Sequence, residues 1–337
     1  MKERDSSLDL IKGVCILLII LGHCPISVVL HDLIFFFHVP IFFIISGYNY
    51  RERNFISEVV VSSKRLLLPF VFISSVILLV AFFRDCLGEK GVFYQYLIGI
   101  LWGGGFTYHF VFLPLPKAIT IGPLWFLWAM FWSRLFMNIT LHLKSDCCRL
   151  GFICAIAIVF INIKQYFSLP FSLIPGICAT GFLFSGYLLR KYDVLNQEHR
   201  KVLLPFSLIA FILCMMPAGN LDVNLSQYKG FYFLDLFAMI GVFWGFVIIS
   251  RTILCNKNVM SLLVKIGRFS LVVYCVHALE YNLMYSYWPL KQMKFLPIGY
   301  STYLEIGIRL VIALLGAFLV LKIPFLKKNI FNIRDVS

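Results

Sequence analysis

Apolar runs of nearly membrane-spanning length recur along the whole chain, separated by short segments that carry charge, Pro or Gly. No other feature narrows the fold as far, because a helix needs about 20 mostly apolar residues to cross a bilayer. Reading run length against charged and Pro/Gly breaks gives ten spans, at 8–28, 33–50, 66–83, 123–142, 150–165, 170–189, 202–218, 231–250, 268–288 and 301–322. The stretch 92–113 is also apolar, but Gly103-Gly104-Gly105 interrupts it, and it reads as re-entrant or interfacial. The expected fold class is therefore all-α: a polytopic membrane helical bundle of about ten transmembrane helices, forming a single membrane domain over 1–337. Composition agrees, with 61% hydrophobic and 14% charged residues, against about half and a quarter in soluble domains.

The net charge of +14 invites a nucleic-acid partner. The basic residues are instead dispersed among short loops, where they report topology. With the N-terminus inside, twenty Lys and Arg fall on the inner side and seven on the outer, while Lys12, Arg134 and Arg309 fall within spans. Counting 92–113 as a full span would flip every later loop and destroy this asymmetry. Both termini are expected in the cytoplasm and the protein in the inner (plasma) membrane, with lipid around it and no nucleic acid. The ten Cys are scattered and do not form a disulfide framework; Cys147-Cys148 is placed in a cytoplasmic loop, where thiols stay reduced. A basic start followed by an apolar run resembles a signal peptide. No small-x-small cleavage site follows, so the run reads as a retained first helix.

Within that frame the stretch from Arg4 to Tyr48 carries the chemistry. It reads as two apolar helices with a break around Pro25 to Asp32, and Lys12, His23 and His38 lie inside the apolar part. An ionisable group in a bilayer is costly and marks a functional site by default. Lys12 and His23 are eleven residues apart, which at about 100° per residue puts them on one helix face, roughly 16 Å apart along the axis. Lys12 is near the inner end and His23 near the outer end. His38 is placed about a turn below the outer end of the second span, so the two imidazoles can approach across the break. A neutral imidazole can take a proton from an attacking hydroxyl near neutral pH; a His bonded between helices for packing is the other reading. His31 and His109 read as solvated loop residues. His277 and Glu280 share a face one turn apart, and Arg309 lies at comparable depth, which suits an interhelical ion pair between Glu280 and Arg309. The sequence Ser-Gly-Tyr-x-x-Arg occurs at Ser46–Arg51 and again at Ser185–Arg190. A parallel repeat is one reading, and the favoured one is that Gly, Tyr and Arg suit an inner helix end. No metal-ligand spacing and no Gly-rich nucleotide loop is present.

At these residues the chain resembles the integral-membrane acyltransferase family 3. That family pairs a basic residue with a His after ten intervening residues, here Lys12 and His23. It continues with His-x-Pro-x-Phe-Phe-x-x-Ser-Gly-Tyr, here His38 to Tyr48. Later echoes are Leu124-Trp125-Phe126-Leu127 and the stretch Ile266 to His277. The resemblance implies an O-acyltransferase with His23 catalytic and Lys12 at the acyl-donor site. His38 matches the family's His-x-Pro run and joins His23 as a catalytic candidate: it could orient His23, bind the acceptor sugar, or cap the irregular stretch before Pro40, which frees a carbonyl one turn earlier. The implied donor is acetyl-CoA and the implied partner a carbohydrate acceptor, an envelope glycan or exopolysaccharide or its lipid-linked precursor. Donor phosphates want cations at the inner mouth, and Lys64 and Arg65 join Lys12 as candidates. The family's Arg-x-x-Arg before a Pro falls here on Ser62-Ser63-Lys64-Arg65, so Ser62 replaces the first Arg. Trp125 and His277 are candidates for the acceptor, Trp125 because aromatic faces pack on sugar rings; an interfacial aromatic belt explains Trp125 as well. In length the chain is most similar to the short fucose-4-O-acetylase-like members. A transporter of polysaccharide or lipid-linked sugar is the rival class, since buried charges and a Gly-broken segment suit one; transport needs no imidazole eleven residues from Lys12.

Overall fold

Asp5 starts the first helix. Its side chain accepts the Ser7 N–H at 2.9 Å, an N-cap that satisfies one of the unpaired donors of the first turn. Helix α1 runs Ser6–Gly22, and Ser27 caps α2, Val28–Tyr48. Next comes a single long helix, α3, Phe55–Cys86. Pro69 lies inside it and has no N–H to return to the carbonyl four residues back. The strain is absorbed by one π turn, Ser63–Leu67, in which the Leu68 N–H reaches back to the Ser63 carbonyl. The remaining helices are α4 Val92–Trp102, α5 Trp125–Thr140, α6 Asp146–Ile163, α7 Leu173–Lys191, α8 Tyr232–Ile253, α9 Lys257–Arg268, α10 Ser270–Met284 and α11 Ile298–Lys322.

This computed structural model describes residues 5–103, 119–164, 166, 169–195, 205–206, 209, 212, 221–228, 232–253, 257–284 and 298–333. Among them six helices are long and apolar enough to cross a membrane, or seven if α9 and α10, broken at Phe269, make one span. The fold is thus an all-helical, multi-pass membrane fold. Helices stand where spans were expected except at 202–218, most of which lies outside the described residues. The apolar stretch 92–113 is helical to Trp102, and 104–113 lies outside the described residues.

The chain divides into two units. The first comprises Met1–Arg53, Phe136–Ile158 and Cys178–Ser270. Its helices cross at glycines. A β-carbon on Gly13 would overlap the Leu263 carbonyl, and one on Gly267 would overlap the Asp9 carbonyl, so α1 and α9 touch backbone to backbone. The α2–α7 crossing is reciprocal: Gly47 lies against the Leu183 carbonyl, and Gly186 against the Ile44 carbonyl. Small residues permit this approach where apolar side chains in lipid give helices little reason to associate. These two glycines are the Gly of the repeated Ser-Gly-Tyr-x-x-Arg. The motif therefore marks a helix crossing, where an inner helix end alone had been the favoured expectation. Arg190 of the second copy donates to the Tyr48 and Tyr50 carbonyls at 3.3 and 3.2 Å, closing the end of α2.

The second unit comprises Asn54–Leu135, Val159–Ile177 and Leu271–Ser337. Buried polar groups tie it together. Arg134 of α5 reaches Glu58 of α3 through Nε at 2.9 Å and Nη2 at 2.8 Å, and Ser62 donates to the same carboxylate oxygen at 2.7 Å. Tyr96 of α4 donates to the Asn282 carbonyl at 2.8 Å, and Asn282 donates to the Ile121 carbonyl at 3.1 Å.

Candidate active site

One phenyl ring organises the first unit's site. Phe35 of α2 meets His23 edge-on at 5.6 Å between ring centroids and His38 edge-on at 5.0 Å, and it stacks under His31 at 4.1 Å. His23 is the C-cap of α1, half-buried, with its N–H on the Ile19 and Ile20 carbonyls at 3.3 Å. His38 is buried, and its Nδ1 lies 2.5 Å from the Ile34 carbonyl one turn back. A carbonyl only accepts, so Nδ1 carries the proton and the neutral ring presents a bare Nε2. His23 and His38 thus converge on one residue, as the short break between their helices led us to expect.

Four expectations for this region change. The break spans only His23–Ser27, because Ser27 caps α2 and the helix begins at Val28. His31 and Asp32 are therefore helical, and His31 is no loop residue. With α2 starting that early, His38 lies ten residues into the helix, about 15 Å rather than one turn. His38 also bonds the Ile34 carbonyl, not the Phe36 carbonyl that Pro40 leaves without its helical donor.

At the other end of α1, the Lys12 ammonium pairs with Asp9 at 2.5 Å. Asp9 is buried, while the Lys12 side chain keeps 18% of its surface exposed. Asp9 and Gly13 flank Lys12 and touch α9 through Gly267. A cation held this way has a counter-charge and keeps only part of its side chain exposed.

The other expected residues belong to the second unit. Lys64 and Arg65 are exposed on the π turn of α3. Ser62 points elsewhere, into the buried Glu58–Arg134 pair. Trp125 opens α5 with only 6% of its surface exposed, and its neighbour Phe126 packs on Tyr274 at 5.6 Å. Neither face of Trp125 is thus broadly open. His277 is fully buried, with Nδ1 3.2 Å from Glu280. Arg309 of α11 lies 3.1 Å from Glu280, as expected of that pair, and 2.9 Å from Glu305, which was not foreseen. His109 lies outside the described residues.

Sequence reasoning missed Phe35, His31, Asp32, Glu58 and Glu305. The spacing His31–Phe35–His38 is i, i+4, i+7, one helix face, and it becomes visible once Ser27 is read as a cap. Glu305 and Arg309 are likewise an i, i+4 pair. Glu58 and Arg134 are 76 residues apart and carry no local signal.

With this geometry in place, comparison with known proteins gives two results. The sequence model of a family described as an acyltransferase domain matches residues 5–322, nearly the whole chain. Nodulation protein NolL of Sinorhizobium fredii (strain NBRC 101917 / NGR234) is 26% identical over 241 residues, 65% of this chain. That alignment spans 58% of the length of NolL.

Proposed function

The chain belongs to the acyltransferase family whose sequence model it matches over residues 5–322, and on that premise we propose that it is a membrane O-acetyltransferase. It takes acetyl from cytoplasmic acetyl-CoA and places it on a hydroxyl of an envelope glycan, an exopolysaccharide or a lipid-linked precursor of either. Both termini face the cytoplasm and the bundle sits in the inner membrane. The observation that carries the reading is the pairing of ends on α1: a partly exposed cation, Lys12, at one end and His23 among other imidazoles at the other.

The steps follow from those groups. Lys12 meets a donor phosphate as a point charge; Lys64 and Arg65 are exposed cations of the second unit and candidates for the same chemistry. His23, as neutral imidazole, takes the proton of the acceptor hydroxyl while its oxygen attacks the thioester carbonyl. The new C–O bond forms and the C–S bond breaks. The imidazolium then returns the proton to the leaving thiolate, giving ester and free coenzyme A. His38 offers a bare Nε2 beside the same Phe35 ring and supports the hydroxyl's approach. Lipid and protein around the reacting groups limit competing water.

The test uses sealed membrane vesicles of known orientation, carrying the cell's own glycan, and acetyl-labelled acetyl-CoA. Label should enter glycan only when donor is on the cytoplasmic face, and His23→Ala should abolish transfer with protein still present in the membrane. Full activity in His23→Ala removes the proposed base. Glycan movement without any acetyl transfer would favour a transporter instead.

A further inference from the structure

His31 has no part in the steps above, yet it is built into the same cluster. Its ring stacks on Phe35 with an interplanar angle of 19° and a centroid distance of 4.1 Å, on the phenyl whose edge contacts include His23. Its Nδ1 lies 3.1 Å from Asp32 Oδ1. A carboxylate only accepts hydrogen bonds, so Nδ1 carries a proton, and in the neutral tautomer with that proton Nε2 is the acceptor. His31 differs from His38 in access: its side chain is 44% exposed and that of Asp32 43%, whereas His38 is buried. An imidazole whose Nδ1 is engaged by a carboxylate, whose ring is fixed by stacking and whose side chain is nearly half exposed has the attributes of a ligand-binding group. The matching ligand chemistry is a hydroxyl-rich molecule, which donates to Nε2 and lays its C–H face on an aromatic ring.

We infer that His31 is an acceptor-binding residue, its Nε2 receiving a hydrogen bond from one hydroxyl of a carbohydrate so that a neighbouring hydroxyl is presented to His23. Asp32 and Phe35 are positioning residues for it. The inference rests on the acetyl-transfer reading and adds the place where the acceptor binds.

The test uses purified full-length protein, labelled acetyl-CoA and, as acceptor probe, surface polysaccharide from cells lacking the protein, stripped of acetyl by mild alkali. His31→Phe keeps a ring on Phe35 and deletes Nε2. It should raise KM for the polysaccharide about five- to tenfold, the size of one lost hydrogen bond, with KM for acetyl-CoA within about twofold of wild type. His31→Gln loses the stacked ring but can place an amide oxygen near the Nε2 position, and it should recover most of the affinity. A packing role predicts the reverse order of these two variants. Wild-type KM in His31→Phe, or a fall in kcat with KM unchanged, overturns the inference while acetyl transfer stands. No label on polysaccharide from wild-type protein overturns the acetyl-transfer reading itself, and the inference with it.

Discussion

Arg309→Met should be one of the most destabilising single substitutions in the second unit. The guanidinium is essentially fully buried in α11, 3.1 Å from Glu280 and 2.9 Å from Glu305. Without it, Glu280 keeps His277 at 3.2 Å, but Glu305 keeps no ionic partner among the described residues. Removing one member of a buried ion pair costs about 3–5 kcal/mol, because the other charge stays desolvated and uncompensated. Removing the charges together is far milder. The triple variant Arg309→Met, Glu280→Gln, Glu305→Gln should fall within about 1–2 kcal/mol of wild type by the same reasoning. The single effects should therefore be strongly non-additive, as in any network whose members share partners. The assay is reversible unfolding by SDS in mixed detergent micelles, followed by tryptophan fluorescence. Trp102, Trp125, Trp128 and Trp132 all lie in this unit and report on it. An Arg309→Met variant within about 1 kcal/mol of wild type would refute the reasoning. So would a triple variant as unstable as the single one, since charge pairing would then not be what holds these helices.

Gly186→Ala should destabilise by about 1–3 kcal/mol, the size of an overpacked contact, because its β-carbon meets the Ile44 carbonyl. Gly151→Ala, with nothing within 4 Å of the new atom, should be neutral or slightly stabilising in an SDS titration followed through Trp244, which lies in the same unit as both glycines. Lys12→Ala should raise KM for acetyl-CoA more than KM for acceptor, and Lys12→Arg should retain part of the affinity, because a phosphate needs a cation rather than one geometry. An unchanged donor KM in Lys12→Ala would leave Lys12 serving Asp9 alone.

The helices were legible because lipid imposes a length rule, and run length against breaks recovers most of their bounds. The start of α2 was not. Pro25, His31 and Asp32 look like a loop by residue type, and only Ser27 as a side-chain cap turns the stretch after it into helix. That one boundary decided whether His31 and Phe35 were seen with His23. Lys12 and His23 could be assigned to one helix because only apolar residues and Gly separate them, and the structure puts Lys12 inside α1 and His23 at its C-cap. The two glycine crossings stayed hidden for another reason. A repeated Ser-Gly-Tyr shows that something recurs, but a backbone-to-backbone contact is made by atoms common to every residue. Ser62 was read as a lost cation, and its place in the Glu58–Arg134 pair could only emerge from contacts 72 and 76 residues apart.

The reciprocal contact of Gly47 and Gly186 has a mechanical meaning for the imidazoles. Where backbones touch directly, no side chain remains to repack, so α2 cannot slide at that point and can only swing about it. His38 is nine residues further along the helix, a lever arm of about 13 Å. A swing of about 4° then carries its ring by about 1 Å, a displacement large enough to change a rate by orders of magnitude when reacting groups must align. Phe35, three residues beyond, moves further still. The glycine pair is thus a fulcrum nine residues from His38, and any swing about it carries His38 and Phe35 together.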